Sequence, residues 1–355
     1  MNGAQLLEFL VCVPSTSGNE RELVDRLTNL LRHEGFAVER EGDSIWFTLG
    51  NDRRPHLLMV SHIDTVPACD GWNSDPLVPL NADGKITGLG ANDAKGCVAA
   101  MILAARELQQ DELDGRVTFA FVDHEETGGD GIRATKPKLG VIDAAVVGEP
   151  TSLEICTAQR GLLILRCIAQ GEAAHAAHAH LGENAIHKAA CDISRLAEIE
   201  FERHPQLGLT KAQVTQIAGG TARNQVPDRC EFFVDIRTTP NLDHAHVVAT
   251  IGAALESDVV VHSQRYEPVA TDESDPIVQA ALAAGSKDKT VGSVTTSDWA
   301  FLKGTPTVKA GPGDTQRSHR PNEYLLVSEL DAGARFYSRL AREYLARARK
   351  EVTHG

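Results

Sequence analysis

Apolar residues recur along the chain in two spacings, and the alternation between those spacings lays out its elements. Ser17 and Glu20 form an S-x-x-E pattern that predicts a helix start. Leu23, Leu27, Leu30 and Leu31 then fall on one helical face, which Gly35 can terminate. Residues 36–40 and 45–49 are short strand-like runs. Residues 55–60 form a compact apolar run that ends in Ser61-His62-Ile63-Asp64. The Ala-rich stretch 95–108 reads as a helix. Residues 117–122 are apolar and β-branched, and Asp-His-Glu-Glu follows them; residues 144–147 end in Gly148-Glu149-Pro150-Thr151. Strands alternating with helices predict an α/β domain with a largely parallel sheet. Its polar residues stand just beyond the strand C-termini, the edge where such sheets bind ligands.

The middle of the chain changes character. Residues 162–168 and 231–237 read as strands with partial alternation, and 185–199 and 244–255 as helices. The first style then resumes, with a helix at 276–284, a strand at 305–310 and a long final helix at 328–350. The pattern predicts one domain, residues 1–161 and 268–355, interrupted by a smaller one at 162–267. A length of 355 residues agrees with two domains.

Composition narrows the partners. With 42% hydrophobic and 24% charged residues the chain can bury a core and is not of the disordered type. Asp and Glu number 49 against 35 Lys and Arg, a formal charge of −14. That balance argues against nucleic acid and anionic membrane, both of which reward a basic face. No apolar run approaches the ~18–20 residues of a membrane span, and the first residues lack the basic stretch of a secretion signal. The seven scattered cysteines, with no C-x-x-C, read as reduced thiols of a cytoplasmic protein.

The candidate chemistry lies beyond the predicted strands. His62, Asp93, Glu125, Glu126 and Glu149 stand there, and His319 comes from the far end of the chain. Imidazole plus carboxylate suits Zn²⁺, with Co²⁺ or Mn²⁺ as substitutes, and no cysteine among them points to a thiolate structural site. Each residue also has an ordinary reading. Asp93 could N-cap the helix that starts near Lys95, Glu125-Glu126 could be a solvated loop, and Glu149 an ordinary turn. Together, unpaired acids at so many strand ends would be costly without a compensating cation.

The words around these residues are Ser61-His62-Ile63-Asp64-Thr65-Val66-Pro67, Gly88-Leu89-Gly90-Ala91-Asn92-Asp93-Ala94-Lys95-Gly96 and Glu125-Glu126-Thr127-Gly128-Gly129. They continue with Gly148-Glu149-Pro150-Thr151 and Gly311-Pro312-Gly313-Asp314, then Ser318-His319 and Asn322-Glu323. In this order and spacing the chain resembles, over essentially its whole length, the di-zinc aminoacylase and carboxypeptidase family. That family contains acetylornithine deacetylase and succinyl-diaminopimelate desuccinylase. The resemblance implies a mostly parallel, zinc-peptidase-like catalytic domain and an inserted α+β, ferredoxin-like lid through which two subunits pair. It implies that His62 and Glu149 bind one Zn²⁺, Glu126 and His319 the other, and that Asp93 bridges both. Asp64 would accept the His62 imidazole N–H and fix its tautomer. Glu125 would be the general base, taking a proton from a water held between the zinc ions and passing it to the leaving amine of a cleaved amide.

The inserted segment carries Gly171-Glu172-Ala173-Ala174-His175-Ala176-Ala177-His178-Ala179-His180. This resembles the family's lid motif, in which His175 would hydrogen-bond the tetrahedral oxyanion, in dimeric members that of the partner subunit. His178 and His180 then belong to local lid structure. The proline that the family often has near 179 or 180 is absent here, which leaves the loop shape open. Asn224, in Gly219-Gly220-Thr221-Ala222-Arg223-Asn224-Gln225-Val226-Pro227, would contact substrate or oxyanion. Arg237 could clamp a substrate carboxylate, or pair with Asp235. Gly311 would lie close to the substrate.

The motifs look most like those of acetylornithine deacetylases, so the expected substrate is an N-acyl amino acid, N-acetylornithine of arginine biosynthesis first. The alternatives are an N-acetylcitrulline deacetylase, a succinyl-diaminopimelate desuccinylase, a carrier-protein amino-acid hydrolase, which the −14 charge disfavours, and a di- or tripeptidase. A metal-dependent binding protein without catalysis would have lost its general base, and Glu125 is present.

Overall fold

A computed structural model describes residues 1–352. The elements used below run in chain order. The first are α1 (Gly3–Val11), α2 (Arg21–His33), β1 (Glu39–Glu41), β2 (Ser44–Gly50) and β3 (His56–His62). They continue with α3 (Lys95–Leu108), β4 (Arg116–Val122), α4 (Asp130–Thr135), β5 (Ala144–Val147), β6 (Gly161–Gln170) and α5 (Ala185–Glu198). The remainder are β7 (Lys211–Gly219), β8 (Arg229–Thr238), α6 (His244–Ala254), β9 (Asp258–Tyr266), α7 (Pro276–Gly285), β10 (Thr307–Lys309) and α8 (Val327–Val352).

The chain forms two compact units. One comprises residues 1–157, 271–291 and 297 onward; the other comprises 158–270 and 292–296. The joins fall a few residues from the sequence-based cuts, and the short segment 292–296 goes with the second unit. There Arg160 N donates to Ser293 O at 3.1 Å, and Gly292 lies so close to Leu207 that a Cβ would meet it at 2.5 Å.

In the first unit the strands lie in the order β1-β2-β4-β3-β5-β10. β4, β3, β5 and β10 are mutually parallel, and β1 and β2 run antiparallel at the edge. β3 and β5 are buried along their whole length, because both faces of this parallel core are covered. That is why they read as continuous apolar runs rather than alternating ones. α3 is buried nearly all round, and its Ala99, Ala100, Ala104 and Ala105 let it nest among α1, α8, β3 and β4.

The S-x-x-E box at the start of α2 does not form. Glu20 has no side-chain capping bond. Its buried carboxylate instead accepts from Gly18 N at 3.0 Å and His124 N at 3.3 Å, and Ser17 Oγ donates to Asp64 at 2.7 Å. Both residues serve tertiary contacts that outweigh the local cap. A reciprocal box does close at α1, between Asn2 and Gln5.

The second unit is a four-stranded antiparallel sheet, order β7-β8-β6-β9, with α5 and α6 following β6 and β8. This is the βαββαβ ferredoxin-like arrangement. β6 and β8 alternate strictly between buried and part-exposed positions. Leu163, Leu165, Cys167, Phe232, Val234 and Ile236 point into a core shared with Ala189 and Leu196 of α5 and Val247 and Ile251 of α6. The edge strands β7 and β9, absent from the sequence-based elements, are mostly exposed.

One buried acid pins α5 to the approach to β9. Asp192 is fully buried and accepts from Ser257 N at 2.8 Å, Ser257 Oγ at 2.6 Å, Glu256 N at 3.1 Å and Arg195 Nη1 at 3.0 Å. Burial alone would raise its carboxyl, but these donors hold it below 3.8. Its contribution is therefore present above the unfolded carboxyl value and is lost as pH falls through the folded one. Asp192→Ala strands buried N–H groups and is expected to destabilise the protein by ~2–4 kcal/mol near neutrality. In urea unfolding the gap to wild type should narrow in acid; a gap that is absent at pH 7, or that widens in acid, would count against this account.

Candidate active site

Parallel register brings the chemistry to one edge. His62 is the last residue of β3 and lies opposite Val122, the last of β4, while Val60 lies opposite Val147, the last of β5. Glu125 and Glu126 follow β4, and Glu149 follows β5, so all reach the same level as His62. Asp93 immediately precedes the first turn of α3, whose N-cap is Ala94 with no side-chain capping bond. Asp93 is thus not used as a cap. His319 arrives on a loop, in a left-handed conformation with φ 58°.

The two carboxylate oxygens of Asp93 face different histidines. His62 Nε2 lies 3.3 Å from Asp93 Oδ1 and 4.0 Å from Glu149 Oε1. His319 Nε2 lies 3.8 Å from Asp93 Oδ2 and 2.9 Å from Glu126 Oε1. The donor atoms of His62, Asp93 and Glu149 lie within 4.8 Å of one another, and so do those of Asp93, Glu126 and His319. Asp93 is common to both groups. Glu125 shares a third such group with His62 and Glu126.

Second contacts orient these groups. His62 Nδ1 is 3.0 Å from the backbone O of Asp64 and 3.4 Å from its carboxylate. The backbone carbonyl is therefore the nearer acceptor for the imidazole N–H, which leaves Nε2 to face Asp93. The Asp64 carboxylate has another task that sequence patterning does not reveal. It accepts from Glu125 N at 3.1 Å and Glu126 N at 3.2 Å, fixing the turn that carries both glutamates.

The electrostatics are those of an acid-rich cluster. Burial pushes Glu149 up to about 7, against the opposing charge of buried Lys309. Burial likewise drives Glu125 well above the ordinary range, with Glu149, Asp298 and Glu126 adding to it. The hydrogen bond to Glu126 raises His319 to about 9. Burial would lower His62, but the Asp64 and Asp93 carboxylates hold it well above 6.5. Asp298 is buried, and neither of its carboxylate oxygens has a hydrogen-bond partner among the described residues. The donor set of two imidazoles and three carboxylates, one of them the shared Asp93, fits divalent cations of the zinc type, which would compensate the converging acids.

The remaining sequence candidates divide by unit. Gly311 is buried in the first unit. A Cβ there would meet Cys97 Sγ and Tyr337 OH at 2.6 Å. Its N–H donates to Thr151 Oγ1 at 3.1 Å and its carbonyl accepts from Leu153 N at 2.9 Å. Close packing accounts for the glycine. In the second unit a short bridge sets His175 opposite Gln225, and Ala176 N donates to Asn224 O at 2.8 Å, so His175 and Asn224 are neighbours. Both are exposed, and His175 Nδ1 accepts from Ala177 N at 3.1 Å. Arg237 forms a bidentate pair with Asp235 at 2.8 and 3.0 Å.

Fold and site together define a two-unit α/β hydrolase with a candidate dinuclear metal centre at the C-terminal edge of its parallel sheet. The chain belongs to peptidase family M20/M25/M40, whose description matches residues 58–343. It is similar to a succinyl-diaminopimelate desuccinylase of Nitrosospira multiformis, 30% identical over 91% of this chain and 92% of that protein. Among solved structures it resembles the aminopeptidase PepT of Bacillus cereus, with TM-score 0.80 and 25% identity over 97% of this chain and 99% of that one. It also shares the fold of the Bacillus subtilis YXEP protein, described as a dinuclear metal binding peptidase, with TM-score 0.76 and 19% identity over 97% of each chain.

Proposed function

We propose that the protein is a dinuclear metal-dependent amidohydrolase that removes the acyl group from an N-acyl amino acid, N-acetylornithine first, with zinc as the cation. The observation that carries the reading is the arrangement of Asp93. Its two oxygens face His62 and His319 separately, and each histidine has its own glutamate, Glu149 or Glu126. Bound cations would polarise an amide carbonyl and acidify a water. His62, Glu149, Asp93, Glu126 and His319 would hold them. Glu125, held by the Asp64 bond to its backbone N–H, would take the proton of the attacking water and deliver it to the leaving amine.

His175 would donate to the oxyanion, with Asn224 beside it. Arg237 would receive a substrate carboxylate, which must compete with Asp235 for the guanidinium. A homodimer formed through the second unit and a cytoplasmic location complete the proposal. The desuccinylase relative supports cleavage of an N-acyl amino acid, and the PepT likeness favours the second reading, a small-peptide hydrolase.

A substrate panel separates these readings. The Zn²⁺- or Co²⁺-loaded protein would be assayed on N-acetylornithine, N-acetylcitrulline, N-acetyllysine, N-succinyl-diaminopimelate, dipeptides and tripeptides. The expected result is the highest kcat/KM on N-acetylornithine. Preference for peptides would move the assignment to the peptidase reading. No turnover of any of them by the metal-loaded protein would overturn both.

A further inference from the structure

The segment 88–93, which delivers Asp93, belongs to no strand or regular helix and has no ladder of its own to satisfy its N–H groups. Glu323 supplies the acceptors. It lies four residues after His319 and is 3% exposed. Its Oε1 accepts from Asn92 N and Asp93 N, each at 2.8 Å, its Oε2 accepts from Gly90 N at 3.2 Å, and its backbone O accepts from Gly88 N at 2.9 Å. Asn92 closes the same seam from the other side. Its Oδ1 accepts from Asp314 N at 2.9 Å, and its Nδ2 donates to Asp314 O at 3.0 Å and Ser318 Oγ at 3.3 Å. The approach is so close that a Cβ on Gly313 would meet Asn92 Oδ1 at 2.4 Å.

The loop that carries Asp93 and the loop that carries His319 are therefore latched together by one buried carboxylate and one amide. We propose that Glu323 is a positioning residue for the metal centre: it binds no cation itself, but fixes Asp93 relative to His319 so that one aspartate can serve two ions. This rests on the reading of Asp93 as the bridging ligand. A carboxylate suits the task better than an amide, since three N–H donors converge on its two oxygens and both oxygens can accept. Glutamine has the same shape, but its NH₂ would face the Gly90 N–H, donor against donor.

The test is metal affinity measured on folded protein, by competition with a chelator for Zn²⁺, for wild type and Glu323→Gln. Loss of an outer contact of this kind typically weakens metal binding by ~10–100-fold. That loss is the expected result, together with a kcat that recovers at raised Zn²⁺ and an unchanged KM. A residue with only a structural role would lower the melting temperature of the chelated protein and leave the affinity of the folded form unaltered. Wild-type affinity in Glu323→Gln would overturn the proposal. If wild type itself took up no metal, the dinuclear reading would fall first and this inference with it. Should Glu323→Gln not fold, Glu323→Asp keeps the charge but withdraws it by one methylene; a loss of Zn²⁺ affinity supports the proposal and none refutes it.

Discussion

Glu125→Gln is expected to lower kcat by ~10²–10⁴-fold, or ~3–5 kcal/mol of transition-state stabilisation, with both cations still bound. The reason lies in how the Glu125-Glu126 pair is mounted. The two backbone N–H groups are held by the same Asp64 carboxylate, which sets the turn. Glu126 then turns to His319 at 2.9 Å, whereas His62 already has Asp93 and Glu149 as its nearer acids in the other group. Glu125 shares a group with one residue from each of the other two, His62 and Glu126, in a partly buried setting that favours its protonated form more than water does. A group of that kind can accept a proton and give it back. The amide of glutamine keeps the shape and cannot. The measurement pairs steady-state kinetics with metal analysis of the same preparation. A fall in metal content parallel to the fall in kcat would make Glu125 a ligand rather than a base. Unchanged kcat with full metal would remove it from the chemistry.

The residues that were legible in the sequence are those whose role is local or lies at a strand end. The buried parallel strands announced themselves as short apolar runs because both of their faces are covered. The ends of those runs located His62, Glu125, Glu126 and Glu149. Asp93 and His319 needed the wider set of motifs, since nothing in local periodicity links residues that distant. What stayed hidden was of two kinds. β7 and β9 carry mixed side chains because their faces are mostly exposed, so they give no burial pattern to read. Asp298 and the particular contacts of Glu323 and the Asp64 carboxylate, two residues the motifs did mark, depend on tertiary hydrogen bonding or burial, which local patterning does not encode. Ser17 and Glu20 show the converse. Their spacing promised a helix cap, and the fold used them to hold Asp64 and the turn at His124 instead.

Removing the cations should produce a protein whose stability falls as pH rises. In the metal-free centre, burial raises Glu125 and Asp298 well above the ordinary carboxyl range and takes Glu149 and Glu323 to about 7. A carboxyl raised in this way adds stability below its unfolded value, 4.5 for the glutamates and 3.8 for Asp298, and loses it as pH climbs through the folded value. His319, at about 9, and His62, well above 6.5, have the same sign, since each binds its proton more tightly folded than unfolded. Asp64 and Asp93 are depressed and act oppositely, but only below 3.8. From about pH 5 to 9 the raised carboxyls and histidines of the centre therefore pull the same way, and they outnumber buried Lys95, which burial lowers to about 7 and which pulls the opposite way above that value. Cation binding requires the other forms, ionised carboxylates and neutral imidazoles, so it releases protons and strengthens with pH. At a free concentration 1,000 times its Kd, a cation adds ~4 kcal/mol, which for a chain of this size corresponds to ~5 °C in Tm. Melting curves of the chelated and Zn²⁺-loaded protein at pH 5.5, 7.0 and 8.5 check both halves. The chelated Tm should drop across the series, and the gain on adding Zn²⁺ should widen. A chelated Tm that holds level, or a gain that shrinks towards pH 8.5, would mean that these acids and histidines do not form a cation site.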